Sequence, residues 1–262
     1  PENKRHYPKG LVAAHVMGYV GEINAGQLAT WEQGRYRMGD IVGQLGLEHA
    51  HDGLLSGSAG EEETIVNSAG RTIRVLNQIP PEPGHTLTLT LDVRLQQQAE
   101  ALLEGKKGAI VILDVNTGGT LALASAPTFD PNMFARRFSQ AEWNAVTNDP
   151  AAPLQNRALQ SAYPPGSIFK LLMAVAGLEA GRIKPETTVN CTGGGIYYGQ
   201  YRSCNAVHGT VNLESAIGRS CNVYFYDLGS KLSREQIVEV AQRYGLGARS
   251  GIDLLNEATG IL

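Results

Sequence analysis

Ser167 and Lys170 stand three residues apart in Ser167-Ile168-Phe169-Lys170, directly after Tyr163-Pro164-Pro165-Gly166 and ahead of an apolar run from Leu171 to Leu178. A serine hydroxyl is a weak nucleophile until a neighbour takes its proton, and a lysine three positions on shares its helix face. The lysine can serve as that base only when neutral, a state that burial beside Phe169, Leu171 and Leu172 favours. A bare S-x-x-K arises by chance about once in a chain of this length, and the dull reading of Ser167 is a helix cap. The frame sharpens the chemical reading: Pro-Pro-Gly sets a tight entry, Ser167 falls at the expected N-terminus, and the apolar run gives the helix a core to enter.

A second element is Ser220-Cys221-Asn222, between Val211–Gly218 and Val223-Tyr224-Phe225-Tyr226, both of helical pattern. It puts a hydroxyl and a carboxamide on one short loop, where the first can relay a proton and the second can hold a lysine and a substrate carbonyl. The same tripeptide at Ser203-Cys204-Asn205 has no helical brackets and is set aside. Cys191, Cys204, His208 and Cys221 fall within 31 positions. Three thiols and an imidazole suit tetrahedral zinc. A Cys191–Cys204 disulfide with Cys221 free, or three inert thiols, are the rival readings.

These motifs resemble those of the penicillin-binding, serine-acyl transpeptidases, whose marks are S-x-x-K, S-x-N and K-[ST]-G. Arg5-His6-Tyr7-Pro8 and Ala13–Gly21 look like the N-terminal module of the class B, elongation-type members. Asp92–Gln97, Gly108–Asp114, Ala124–Pro131, Asn156-Arg157-Ala158, Thr210–Leu213 and Gly251–Leu254 carry the likeness along nearly the whole chain. The resemblance implies an α+β serine-acyl transpeptidase (penicillin-binding/beta-lactamase-like) fold, preceded by a mainly β N-terminal pedestal module. No lysine here is followed by Thr-Gly or Ser-Gly, so that fold is expected to be C-terminally truncated, without the strand that binds the substrate carboxylate and completes the oxyanion hole.

The resemblance further implies a peptidoglycan D,D-transpeptidase that crosslinks stem peptides through a Ser167 acyl-enzyme and is acylated by beta-lactams. Lys170 would be the base, Ser220 the proton relay and Asn222 a positioning amide, with no cofactor for catalysis. Some elongation-type members are similar in holding zinc beside the S-x-N loop, which would use Cys221 and His208; Cys191 and Cys204 are inferred to stand where those relatives place acidic ligands. Expected partners are stem peptides, beta-lactams and envelope proteins of the elongation complex. A membrane anchor is expected upstream of Pro1, holding the catalytic part outside the cytoplasmic membrane, in the periplasm. The alternatives are a non-catalytic envelope scaffold or beta-lactam-binding module, and a hydrolase of serine beta-lactamase type.

The elements that must position these groups follow from composition and pattern. Hydrophobic residues make up 42% and charged residues 18% of 262, enough for a core. A net charge of -3 without a long basic run offers nucleic acid no electrostatic footing. No stretch reaches 18 uninterrupted apolar residues, and Pro1-Glu2-Asn3-Lys4 resembles neither signal peptide nor anchor. Alternating segments at 64–67 and 72–76 read as strands, and Pro80-Pro81-Glu82-Pro83-Gly84 marks a boundary. It separates a pedestal or dimerisation-like module, 1–84, from the transpeptidase domain, 85–262.

Past the boundary, Thr86–Thr90 alternates like a strand, and Asp92 reads as the cap of a helix with Leu95, Ala99, Leu102 and Leu103 on one face. Residues 108–113 and 120–125 read as a hairpin; 127–160 read as irregular; further helices are expected near 213–218 and 234–244. His6, His15, His49, His51 and His85 read as surface or packing residues, and Gly193-Gly194-Gly195 as a turn rather than a phosphate cradle.

Overall fold

The computed structural model describes residues 4–31, 35–136 and 138–262, so the opening Pro1-Glu2-Asn3 lies outside the described residues. Packing divides the chain into two compact units, 1–161 with 252–257 and 162–251 with 258–262. Residues on both sides of the expected module boundary at 84 fall in the first.

The first unit holds strands β1 (Val20–Glu22), β2 (Ile41–Gly43), β3 (Glu61–Val66), β4 (Thr72–Ile79), β5 (Gly108–Leu113) and β6 (Thr120–Ala126), paired antiparallel in that order as three two-stranded sheets. Its helices are α1 (Ala14–Met17), α2 (Ala25–Thr30), α3 (Gly46–Ala50), α4 (Asp52–Leu55), α5 (Val93–Leu102), α6 (Gln140–Thr147) and α7 (Arg157–Gln160). Asp92 caps α5 as expected, accepting from the N–H groups of Arg94 and Leu95. The buried face of α5, however, is Gln96, Ala99 and Leu103, while Leu102 is exposed. Gln96 sets that rotation: its amide accepts from Leu123 N at 2.7 Å and donates to Leu123 O at 3.1 Å, acting as one residue of a strand beside β6.

Two expectations in this unit change. Residues 127–160 contain α6, which a Ser139/Glu142 capping box starts, and the short α7. None of the residues of α6 is fully buried, though Val146 and Trp143 pack at the margin of an aromatic cluster with Phe134 and Phe138, so capping marks its start more clearly than an apolar face does. Thr86–Thr90 does not join a sheet among the described residues, despite its alternation. A period of two reports extended backbone; the ladder needs a partner strand that the pattern cannot supply.

The second unit positions the candidate chemistry. It comprises α8 (Phe169–Glu179), β7 (Val189–Cys191), β8 (Gly194–Tyr197), β9 (Gln200–Ser203), β10 (Gly209–Val211), α9 (Leu213–Gly218), α10 (Asn222–Lys231) and α11 (Arg234–Arg243). β7 pairs with β10, and β8 with β9. Gly193 makes the expected turn at φ 95°, whereas Gly194 and Gly195 begin β8. Their missing side chains leave room for the rings of Tyr201 and Tyr197.

One core joins α8, α9, α10 and α11 through Ala174, Ala176, Ile183, Ala216, Val223, Tyr224, Leu228 and Val240. The α8–α10 crossing is close because Gly177 has no side chain; a Cβ there would lie 2.7 Å from Leu228 Cδ1. Leu228, wholly buried, fills the space that glycine leaves. Leu228→Ala is therefore expected to cost about 2 to 5 kcal/mol in a denaturant titration. A loss below 1 kcal/mol would show that this crossing does not hold the two helices together.

Candidate active site

Ser167 lies on a one-turn 3₁₀ helix, Gly166–Ile168, that runs into α8. Gly166 has φ 57°, a left-handed conformation that glycine adopts without a Cβ penalty, so the chain turns sharply out of Pro164-Pro165. The Ser167 side chain does not cap the helix; its Oγ accepts a hydrogen bond from Ser220 Oγ at 2.9 Å and stands exposed. The cap reading of Ser167 thus gives way to a hydroxyl held from across the site.

Lys170 is half-buried on the first turn of α8. Its Nζ donates to Ser220 O at 2.8 Å, to Ser220 Oγ at 2.9 Å and to Asn222 Oδ1 at 2.6 Å. The face of Phe225 lies below, 5.7 Å from Nζ to the ring centroid. All four residues expected at the reaction centre are thereby brought into one hydrogen-bonded chain, with Ser220 between the amine and the Ser167 hydroxyl. Burial pushes the Lys170 pKa down from the ordinary lysine value, against the opposing pull of the Cys204 and Cys221 sulfurs.

The loop that meets Lys170 is the end of α9. Ser220 N donates to Ile217 O at 3.0 Å and Cys221 N to Ala216 O at 2.8 Å, closing a Schellman turn in which Ser220 takes the left-handed position usual for glycine, at φ 52°. A serine there carries about 1 kcal/mol or more of backbone strain, held by its surroundings. The next helix starts two residues on. Asn222 N, a first-turn donor of α10, is satisfied by Cys204 Sγ at 3.2 Å, and Asn222 Nδ2 donates to Ser203 O at 3.4 Å.

Beside this loop, Cys191, Cys204, His208 and Cys221 converge, their ligand atoms all within 4.8 Å of one another. His208 Nδ1 is 3.6 Å from the sulfurs of both Cys191 and Cys204, and the Cys204 and Cys221 sulfurs are 3.9 Å apart. All three cysteines are free, so the Cys191–Cys204 disulfide of the rival reading is not formed. Burial raises the Cys221 thiol to about 11. Burial also acts to raise Cys204, but donors from the Val223, Ala206 and Asn222 backbone outweigh it and bring that thiol down to about 6.

Two contacts escaped sequence reasoning. Ser203 O, which receives Asn222, belongs to the second Ser-Cys-Asn copy, and Phe225 is simply one turn beyond Asn222. The i to i+3 spacing carries the Phe225 signal; for Ser203 the sequence offers only the repeated Ser-Cys-Asn tripeptide, set aside for want of helical brackets. The scattered histidines prove unremarkable in their roles: His15 is buried, bonded to Pro153 O at 2.7 Å and lowered by burial to about 4, and His49 Nδ1 lies 2.9 Å from Gly43 O. Tyr224 is core, whereas Tyr198 is exposed.

Comparison with known proteins gives the family. The peptidoglycan D,D-transpeptidase MrdA of Escherichia coli (strain K12) is 38% identical over 270 residues, covering 98% of this chain and 42% of that protein. Its counterpart from Acinetobacter baumannii is 35% identical, covering 98% and 39%. The chain thus spans about two fifths of the length of these curated relatives.

Among solved structures, the complex between a penicillin-binding protein (PBP2) and MreC from Helicobacter pylori superposes with a TM-score of 0.87 at 35% identity, over 100% of this chain and 49% of that one. Pseudomonas aeruginosa PBP2 in complex with WCK 5153 gives 0.84 at 35% identity, over 98% and 54%. The penicillin-binding protein dimerisation domain matches residues 1–89, and the penicillin binding protein transpeptidase domain matches residues 108–262. With more than half of its residues inside that second match, the chain belongs to the penicillin-binding protein transpeptidase family, which the S-x-x-K and S-x-N motifs already indicated.

Proposed function

We propose that the protein of which this chain is part is a peptidoglycan D,D-transpeptidase, and that Ser167 is its acylated nucleophile. The observation that carries the reading is the hydrogen-bonded chain from Lys170 Nζ through Ser220 Oγ to Ser167 Oγ. Residues 1–84 would form the pedestal module and 85–262 the part of the transpeptidase domain present here.

Neutral Lys170 draws the Ser220 proton as Ser220 takes the Ser167 proton, and Ser167 Oγ attacks the penultimate D-alanine carbonyl of a stem peptide. The Ser167 N–H donates to the developing oxyanion. As the C–N bond breaks, the terminal D-alanine amine takes a proton back through Ser220, leaving an acyl ester on Ser167. The amine of a second stem peptide then attacks the ester, its proton passes along the same route, and a crosslink forms. Asn222 holds the Lys170 amine in place and turns its Nδ2 toward Ser203 O. A beta-lactam presents a similar carbonyl and forms the same ester. Envelope proteins of the elongation complex are the proposed partners, and the catalytic part would work outside the cytoplasmic membrane. No helix among the described residues is long and apolar enough to cross one, so anchoring would fall to another part of the protein.

The cysteine cluster fits zinc. A tetrahedron with Zn–S of about 2.3 Å and Zn–N of about 2.05 Å has S···S edges of about 3.8 Å and S···N edges of about 3.6 Å. Three of the six donor–donor distances in the cluster are 3.9, 3.6 and 3.6 Å, and all six lie within 4.8 Å. Cys191, Cys204, His208 and Cys221 would hold the ion as a closed structural site, neutralising thiolates and tying β7 to the α9–α10 loop.

Fluorescent penicillin tests the reading on the full-length protein: stable labelling lost in Ser167→Ala is expected, whereas rapid turnover of the label would mean a hydrolase. Ser220→Ala should slow acylation by about 10²- to 10⁴-fold; an unchanged rate would remove Ser220 from the proton route. Because Lys170 reacts as the neutral amine, its lowered pKa makes acylation rise with pH through a midpoint below that of free lysine. A flat profile, or a midpoint at the free value, contradicts the proposed base. One zinc per chain is expected by elemental analysis, and chelation should lower the melting temperature by about 5 °C or more. Protein purified without chelators and still free of zinc would refute the ion.

A further inference from the structure

We propose that Cys204 and Cys221 form a redox modification site, in which a disulfide between them pulls Ser220 and Asn222 away from Lys170 and switches the nucleophile off. The inference goes beyond the acyl-transfer reading and rests on the zinc reading only for the release of metal.

Access picks out the first sulfur. Cys191 and Cys221 are wholly buried, while Cys204 is partly exposed at the end of β9. A small peroxide therefore meets Cys204 first. The second is Cys221, whose Sγ is 3.9 Å away against about 2.05 Å in a disulfide, so the two must close by less than 2 Å; Cys191 also lies in the cluster, within 4.8 Å. That movement falls on the most constrained backbone of the site. Cys221 lies between Ser220 and Asn222 and closes the turn that holds Ser220 at φ 52°, and Cys204 Sγ is the acceptor for Asn222 N. A disulfide takes the Cys204 sulfur from Asn222 N–H and drags the middle residue of the motif toward β9, and Lys170 loses the geometry of its three acceptors.

The chemistry balances with a hydroperoxide as oxidant. The Cys204 thiolate attacks one peroxide oxygen, the S–O bond forms as O–O breaks, and the departing hydroxide takes a proton to become water. The Cys221 sulfur then attacks the sulfenic sulfur, S–S forms as S–O breaks, and a second hydroxide leaves as water, taking the Cys221 thiol proton or, where the metal holds a thiolate, a proton from solvent. The two cysteine sulfurs lose two electrons in all and one hydrogen peroxide is reduced to two waters. Cys191 and His208 alone are too few ligands to keep a closed zinc site, so the ion leaves.

The test treats full-length protein with hydrogen peroxide and follows three readouts: zinc released to a chromogenic chelator, disulfides mapped by peptide mass spectrometry, and fluorescent penicillin labelling. The expected result is a Cys204–Cys221 disulfide, release of the bound zinc, and loss of labelling to the level of Ser167→Ala, all reversed by a dithiol with added zinc. Cys204→Asp replaces the sulfur donor with a carboxylate oxygen and removes the thiol, so whatever labelling it shows before treatment should be unchanged by peroxide. A disulfide through Cys191 instead, or a Cys204–Cys221 disulfide with undiminished labelling, overturns the proposal, as does the absence of any disulfide. Protein that holds no zinc at the outset refutes the metal reading, and mapping and labelling still decide the redox site. Should Cys204→Asp fail to fold, by circular dichroism, wild-type mapping and labelling decide it alone.

Discussion

The Lys170 ammonium has three donors, and the S-x-N loop supplies three oxygens within 2.9 Å of it. Two come from Ser220, its carbonyl and its hydroxyl, and this is possible because the residue sits in a left-handed turn. The strained turn at position 220 thus carries the contact that organises the site, and the same Ser220 hydroxyl that accepts from Lys170 donates to Ser167.

That turn depends in its turn on packing at both ends. On one side, α9 ends in a Schellman motif whose donors are Ser220 and Cys221, anchored by the buried Ala216. On the other, α10 is pressed against α8 where Gly177 faces Leu228, which sets the height of Lys170 relative to Asn222. Buried polar networks gain their rigidity from full satisfaction. Here the first-turn N–H of α10 finds a sulfur, and the Asn222 amide finds the Ser203 carbonyl.

The chemistry was more legible in the sequence than the scaffold. Ser167, Lys170, Ser220 and Asn222 were readable because short motifs encode local geometry: an i, i+3 pair on a helix, and a loop between two amphipathic stretches. The Cys191–His208–Cys221 convergence was readable as a donor inventory, although the sequence left zinc and disulfide both open. What it could not encode locally was pairing. Thr86–Thr90 has the alternation of a strand without a ladder among the described residues, and the rejected Ser203-Cys204-Asn205 copy turned out to receive Asn222 through β9. α6 is hard to read because its apolar contacts, Trp143 and Val146, are few and only partly buried, and the exposed Leu102 shows one glutamine side chain rotating a helix that apolar spacing alone would turn differently.

The position of Cys221 has a consequence for how the two halves of the site communicate. One backbone segment of three residues supplies a hydrogen-bond partner of the nucleophile, a member of the thiol–imidazole cluster and an acceptor for the lysine. Between such neighbours there is little chain to absorb a change: a shift of the Cys221 sulfur beyond what rotation about its Cα–Cβ bond absorbs rotates the peptide planes on either side, and those planes carry Ser220 O and Asn222 N. The same thiols also act on Lys170 through space, since negative charge on Cys204 and Cys221 favours its ammonium form while burial disfavours it. Any group that neutralises those sulfurs removes the first effect and leaves the second, which moves the amine toward its neutral, proton-accepting form.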